Sequence, residues 1–345
     1  MNAASYLDEN GGEVYGELYK QLGIHLPENV AHDPQLWMAL GVLKREPCDQ
    51  KGLDELVLLL GRLGYRREGA LSQFNFVKRC GAPQFALFKS VNTFIELSDF
   101  PTALEVADEY VRRAPTTSNA RYLRGVAFEG NGDYQRALVD YADAIELYSA
   151  DKRTISERVF AHMANAYAEL GRYCEAVTPI LTWIALDPVA RDNSRSQKIV
   201  ADYERRGNCA GSNEFHKERF ALPGPNRVVT VRAKVNGIDG VFIIDTGASY
   251  VSLKSAFADR AKIDYAKGGV IRLSTANGMT NGKLAKADKV TLGQLNAKDV
   301  PVVVQETDER SYGRGIDGLL GMSFLSRFEI QVARGFIEVH TRRSK

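Results

Sequence analysis

Between residues 242 and 250 the chain reads Phe242-Ile243-Ile244-Asp245-Thr246-Gly247-Ala248-Ser249-Tyr250, an apolar run that ends in one carboxylate and a glycine. The run predicts a strand covered on both faces and stiffened by β-branched side chains. Gly247 predicts a sharp turn that brings the backbone close to whatever the carboxylate acts on. A carboxylate presented in this way can take up and release a proton at a bound water. Taken alone, the segment also fits an Asp that caps an ordinary turn.

Other chemistries find little support. The five histidines, His25, His32, His162, His216 and His340, are scattered and read as structural or surface residues. Gly321-Met322-Ser323-Phe324-Leu325 lacks the final glycine of a nucleophile elbow. Gly-rich phosphate loops are absent, and basic residues do not interleave with aromatics as nucleic-acid binding requires. No metal, cofactor or nucleic acid is expected.

Two further segments bear on Asp245. Gly315-Ile316-Asp317-Gly318-Leu319-Leu320-Gly321-Met322-Ser323-Phe324-Leu325 closes an apolar pair with glycine and runs on into a helix-compatible stretch. Between the two lies Leu273-Ser274-Thr275-Ala276-Asn277-Gly278-Met279-Thr280-Asn281-Gly282. Its Asn277-Gly278 pair is a strong hairpin signal, because a type I′ turn needs two positive φ angles. In this order, over about the last 120 residues, the three segments resemble the bacterial branch of the retropepsin-like aspartic proteases. The resemblance implies an all-β acid-protease barrel with Asp245 as the catalytic residue. Thr246, Gly247 and Ala248 would support the loop, and Leu319, Leu320 and Gly321 would form the strand that braces it. Thr275, Ala276, Asn277 and Gly278 would be the flap that folds over a bound peptide. Ala248 stands where pepsin-like members carry serine, which implies an activity optimum nearer neutral pH.

Carboxylate-catalysed peptide hydrolysis needs two carboxyl groups, one ionised to accept a proton from water and one protonated to donate to the carbonyl oxygen. Held about 3 Å apart, two such groups cannot both ionise and share one proton. The chain contains a single Asp-Thr-Gly or Asp-Ser-Gly triplet; Asp239 and Asp317 precede glycine but follow isoleucine and lack the hydroxyl residue. The second Asp is therefore expected from another copy, in a homodimer with the site on its two-fold axis. By resemblance, Thr246 bonds across that axis. Viral relatives dimerise through terminal strands, a part open to residues Phe336 to Thr341, although Arg342 to Lys345 make a strongly charged end.

The front of the chain has a different periodicity. Leu123, Gly125, Ala127 and Phe128, then Gly132-Asp133-Tyr134, Ala137, Tyr141 and Ala144, recur as Ala164, Tyr167, Gly171-Arg172-Tyr173, Ala176 and Pro188. An earlier copy keeps Asp99-Phe100, Ala103 and Pro115. These spacings resemble the tetratricopeptide repeat, with units near 84–117, 118–151 and 157–190. Small residues let paired helices approach, and the tyrosines fill the gap to the next pair. The predicted architecture is a multidomain chain: an all-α helical-repeat solenoid followed by an all-β barrel. Residues 1–83 are a degenerate helical region capping the repeats, 84–206 the repeats, 207–226 a linker rich in glycine and proline, and 227–345 the protease domain. Residues Ser194 to Arg206 are read as a capping helix.

Composition is that of an ordinary globular protein, 44% hydrophobic and 26% charged, with net charge +2. Residues 226–345 carry net +7 and the rest net −5, which reads as solvated surface. The four cysteines, Cys48, Cys80, Cys174 and Cys209, have no zinc-ligand spacing. Buried free thiols are the default reading, with one or two disulfides open to an exported protein. No signal peptide is legible, and no apolar stretch is long enough to span a membrane. The chain as written reads as cytoplasmic, and a mature periplasmic form would look the same.

The functional expectation is a homodimeric aspartic endopeptidase whose repeats bind a peptide or protein substrate or an adaptor protein. Two alternatives stand beside it. One is a non-catalytic scaffold that uses the retropepsin fold to dimerise, and the other is a latent protease activated by a partner.

Overall fold

The computed structural model describes residues 15–81, 84–149, 151–209, 216–222, 228–275, 278–305, 312–333 and 335–341. They fall into two compact units, one ending at Asp133 and the other beginning at Tyr134.

The first unit is helical: α1 (Gly16–Leu22), α2 (Glu28–Ala31), α3 (Pro34–Arg45), α4 (Gln50–Arg62), α5 (Arg66–Cys80), α6 (Gln84–Glu96), α7 (Phe100–Arg113) and α8 (Ser118–Gly130). Its helix starts are written in the sequence. The Asp33 carboxylate accepts the N–H groups of Gln35 and Leu36, with Pro34 at the first helical position, and Asp49 and Asp99 cap α4 and α7 in the same way. Leu22, Leu36, Leu40, Leu53 and Phe76 fill one core, and Val91, Phe94, Val106 and Ala107 fill the next. A disulfide joins Cys48, between α3 and α4, to Cys80 at the end of α5.

The second unit begins with α9 (Tyr134–Glu146), α10 (Glu157–Glu169), α11 (Tyr173–Leu186), α12 (Pro188–Arg191) and α13 (Ser194–Gly207). A 3-10 turn, Lys152–Thr154, lies between α9 and α10. Strands follow: β1 (Lys217–Ala221), β2 (Thr230–Val235), β3 (Ile238–Ile244), β4 (Val251–Lys254), β5 (Val270–Thr275), β6 (Gly278–Leu292), β7 (Leu295–Gln305), β8 (Gly318–Leu320), β9 (Phe328–Ala333) and β10 (Phe336–Thr341). Helix α14 (Ser255–Arg260) follows β4, and α15 (Met322–Leu325) follows β8.

The larger sheet has the order β2-β3-β8-β4-β7-β6-β5, and a β2–β6 pairing closes six of its strands into a barrel with β5 outside on β6. Alternation drives the inward face. Val231, Ala233 and Val235 are buried while Thr230, Arg232 and Lys234 are exposed. Phe242, Leu253, Phe257, Val290, Val302, Leu320 and Phe324 complete the barrel core. The expected architecture, repeats followed by a retropepsin-like barrel, is present.

Three features differ from the sequence reading. Part of the stretch taken as linker, Lys217–Ala221, is strand β1, paired antiparallel with the chain's last strand. Strand β10 is the middle strand of a β1-β10-β9 sheet, so both its edges are used within the chain. Among the described strands of this sheet, the edges are β1 and β9. The cysteines pair: Cys174 of α11 is bonded to Cys209, beyond α13, and no free cysteine remains. These bridges close loops of 32 and 35 residues, for which loop-closure entropy gives roughly 4 kcal/mol each.

The compact units also divide the chain elsewhere than at a linker after residue 206. Helix α9 packs on β5, and α11 packs on β7 and α15. Arg327, behind α15, is half-buried with its Nε shut off from solvent, and its Nη2 donates to the Thr178 hydroxyl (2.8 Å) and the Cys174 carbonyl (3.1 Å) of α11 and to the Asp299 carbonyl (3.1 Å) of β7. Burial pushes its pKa down to about 10, so it stays charged at neutral pH. A charge so placed ties the helical layer to the barrel.

Candidate active site

Strand β3 carries Asp245 at its end because two neighbours hold it. It pairs antiparallel with β2 and parallel with β8, in the register Phe242↔Gly318, Ile243↔Leu319 and Ile244↔Leu320. The ladder extends into the loop, where the Asp245 N–H donates to the Leu320 carbonyl at 3.1 Å. Past Asp245 the chain folds back on itself. The Gly247 N–H donates to Asp245 Oδ1 at 2.9 Å, and the Ala248 N–H to the Asp245 carbonyl at 3.3 Å. Asp245 is half-buried, and Thr246 and Gly247 are exposed.

Gly247 does not act through a left-handed backbone; it is not among the glycines with positive φ. A Cβ there would lie 3.2 Å from Asp245 Oδ1, so the glycine keeps space beside the carboxylate.

The segment after β8 fixes the rest of the loop. The Met322 N–H donates to the Ala248 carbonyl at 2.8 Å and the Ser323 N–H to the Ser249 carbonyl at 2.9 Å. The Ser323 hydroxyl in turn accepts the Val251 N–H at 2.8 Å. This approach needs Gly321, where a Cβ would sit 2.1 Å from the Tyr250 carbonyl oxygen and 2.7 Å from that of Ala248. Both neighbours are backbone, which cannot rotate away. Gly321→Ala is therefore expected to lower the unfolding free energy by about 2–3 kcal/mol, read by urea denaturation. An unchanged midpoint would mean that the loop yields easily.

Asp317 is occupied elsewhere. Its Oδ2 accepts the Val241 N–H at 2.9 Å, and its Oδ1 pairs with Arg260 at 3.1 Å. Asp239 is exposed and pairs with Lys234 at 3.5 Å. Among the described residues, no group of His, Cys, Asp and Glu could hold a metal ion.

The hairpin β5–β6 pairs up to Thr275↔Gly278, with the Thr275 hydroxyl donating to the Gly278 carbonyl at 2.7 Å. Gly278 has φ +106°. Ala276 and Asn277 lie outside the described residues.

One part of the site was not legible in the sequence. Tyr250, which ends the loop, is buried and lines a small cavity together with Ile145 of α9, Met163 and Tyr167 of α10, and Thr178 of α11. Burial pushes its phenol well above the ordinary range, and nearby Tyr167, Glu146 and Asp143 add to this. Beside it a cavity of about 320 Å³ opens between Thr246, Gly247, Ser249 and Met322 on one side and Lys152, Ile155, Phe160 and Leu186 on the other. The repeat motif carries no mark of this contact, since its residues are those of any helix pair.

Residues 231–324 match the aspartyl protease family, and residues 88–152 match the tetratricopeptide repeat family. An uncharacterized protein in the cobV 5′ region of Sinorhizobium sp is 29% identical over 99 residues, 28% of this chain and 40% of that protein. The chain thus spans well under half of that relative's length. Among solved structures, a retropepsin-like aspartic protease from Rickettsia conorii is 26% identical, over 38% of this chain and 94% of that one, with a TM-score of 0.32. A MamA fragment from Desulfovibrio magneticus RS-1 is 17% identical, over 51% of this chain and 97% of that one, with a TM-score of 0.38. The chain carries a retropepsin-like aspartyl protease domain at its C-terminal end, preceded by tetratricopeptide repeats. No helix among the described residues is long and apolar enough to cross a membrane.

Proposed function

We propose that the protein is an aspartic endopeptidase whose active site forms from Asp245 of two copies. One observation carries this reading: a single Asp-Thr-Gly loop, held by β8 and Gly321, presents one carboxylate, while Asp317 is spent on Val241 and Arg260. In the dimer the ionised Asp245 takes a proton from water as the water oxygen bonds to the peptide carbon. The protonated Asp245 of the other copy gives its proton to the carbonyl oxygen. The tetrahedral diol then collapses: one hydroxyl returns its proton to the now ionised Asp245, the C–N bond breaks, and the nitrogen leaves with the proton held by the other Asp245. Thr246 and Gly247 lie exposed, open to a second loop, and Ala248 offers the dyad no hydroxyl. Thr275, Ala276, Asn277 and Gly278 act as the flap over the bound peptide, and the dimer forms through the protease domain.

Dilution tests the dimer. Specific activity on a generic peptide library is expected to fall as the chain is diluted through its dimer dissociation constant, and excess Asp245→Asn chains should poison the wild type through mixed dimers. A species that is monomeric by light scattering and still cleaves would overturn the two-chain site.

A latent form of the same enzyme has an observation in its favour. The turn Lys152–Thr154 and Leu186 border the cavity at Thr246 and Gly247, where a second loop would have to enter. A partner that binds the repeats could clear or close that approach. A dimer that stays silent until such a partner is added is its signature. Two disulfides suit an oxidising compartment, which supports an exported setting over the cytoplasm.

A further inference from the structure

Beyond its first turn, helix α9 is buried at every position but Val139, including three acidic residues: Asp140, Asp143 and Glu146 are 1%, 2% and 7% exposed. Acidic side chains so placed need a reason. For Asp143 the reason lies in the hairpin: its Oδ1 accepts the backbone N–H of Arg272, in β5, at 2.6 Å. Strand β5 is the outermost strand of its sheet, paired with β6 alone. Its free edge therefore meets a carboxylate from α9 where a further strand would otherwise supply a carbonyl.

A second contact reinforces the first. At Gly269, just before β5, a Cβ would lie 2.0 Å from Val139 Cγ2 of α9, so only glycine lets the helix come this close. The Gly269 carbonyl accepts the Leu284 N–H at 2.9 Å, which ties the base of the hairpin to β6. The same helix comes near the loop of Asp245, because Ile145 lines one small cavity together with Tyr250. One helix of the repeat layer thus holds the base of the hairpin and borders the residue that ends the candidate catalytic loop.

We propose that Asp143 is a positioning residue: through the Arg272 N–H it fixes the resting position of the β5–β6 hairpin relative to the Asp245 loop, so that α9 governs access to the site. The role given to the hairpin rests on the endopeptidase reading; the bond between helix and strand does not. A partner that shifts α9 would move the hairpin without touching Asp245.

The test uses the full chain with two substitutions. Asp143→Leu keeps the branched shape, is bulkier and removes the acceptor, while Asp143→Asn keeps both the size and a neutral acceptor. Hydrogen exchange at the Arg272 amide is expected to speed up at least about 10-fold in Asp143→Leu and about 3-fold in Asp143→Asn, with amides of β10 unchanged. On a short peptide, Asp143→Leu should raise KM several-fold with a smaller change in kcat, and Asp143→Asn should restore most of it. If Asp143→Leu does not fold, the Asp143→Asn exchange rate still decides. Unchanged exchange at Arg272 in the variants overturns the proposal, as does a rise shared equally by β10, which would mean general destabilisation. An unchanged KM alongside faster local exchange overturns the control of access. If the wild type cleaves nothing, the constitutively active endopeptidase reading fails, yet the exchange measurement still shows whether Asp143 holds the hairpin.

Discussion

Purified Asp245→Asn chains are expected to fold as the wild type does and to lose peptide cleavage by about 10³-fold or more, within the range that general acid–base catalysis supplies. The substitution removes a titratable oxygen and leaves the shape almost unchanged. In the loop, Asp245 Oδ1 accepts the Gly247 N–H, and an asparagine carbonyl can accept it too. The stability cost should stay within about 1 kcal/mol, seen as a small shift in the urea midpoint. Dimerisation by light scattering should also survive, since the backbone bonds accepted by the Leu320, Ala248 and Ser249 carbonyls do not involve the carboxylate. A variant that folds, dimerises and cleaves at the wild-type rate would remove Asp245 from the mechanism. The non-catalytic scaffold makes the opposite prediction: wild type and variant would be equally inactive on every peptide tested.

The second large effect concerns where the chain can be cut. A fragment of residues 134–345 is expected to unfold cooperatively, whereas one of residues 207–345 should lack a cooperative transition and expose apolar surface to a hydrophobic dye. Starting at residue 207 removes the cover over Tyr250, two of the three acceptors of Arg327 Nη2 described above, the Asp143 partner of Arg272 and the disulfide partner of Cys209. Loss of partners at buried polar and charged groups costs about 1–3 kcal/mol each, and stripping an aromatic of its cover costs a similar amount. Together these approach the roughly 5–15 kcal/mol that a whole domain possesses. Denaturation followed by circular dichroism distinguishes the two fragments. A cooperative transition in residues 207–345 at the same midpoint as in residues 134–345 would mean that α9 to α13 add nothing to the barrel.

The sequence by itself determined what depends on neighbours along the chain. The strand–turn around Asp245, the apolar pair closed by Gly321, the hairpin between β5 and β6 and the helix starts at Asp33, Asp49 and Asp99 follow from a few adjacent residues, so the protease domain and the repeats before it were legible. Only the tertiary structure decided what depends on residues far apart. Lys217–Ala221 sits between glycine- and proline-rich stretches and reads as linker; it becomes a strand because β10, more than 100 residues later, offers an edge. The cysteines carry no pairing information until α3–α5 and α11–α13 bring them together. Nothing in the sequence around Asp143 marks it, yet it is buried and accepts the N–H of Arg272, 129 positions away. Periodicity reports which face of an element is apolar, but not what that face meets. Whether a helix face rests on the next repeat or on a barrel is decided by shape and by a few partly buried polar partners such as Arg327, and in this chain those partners joined the last helices to the protease fold.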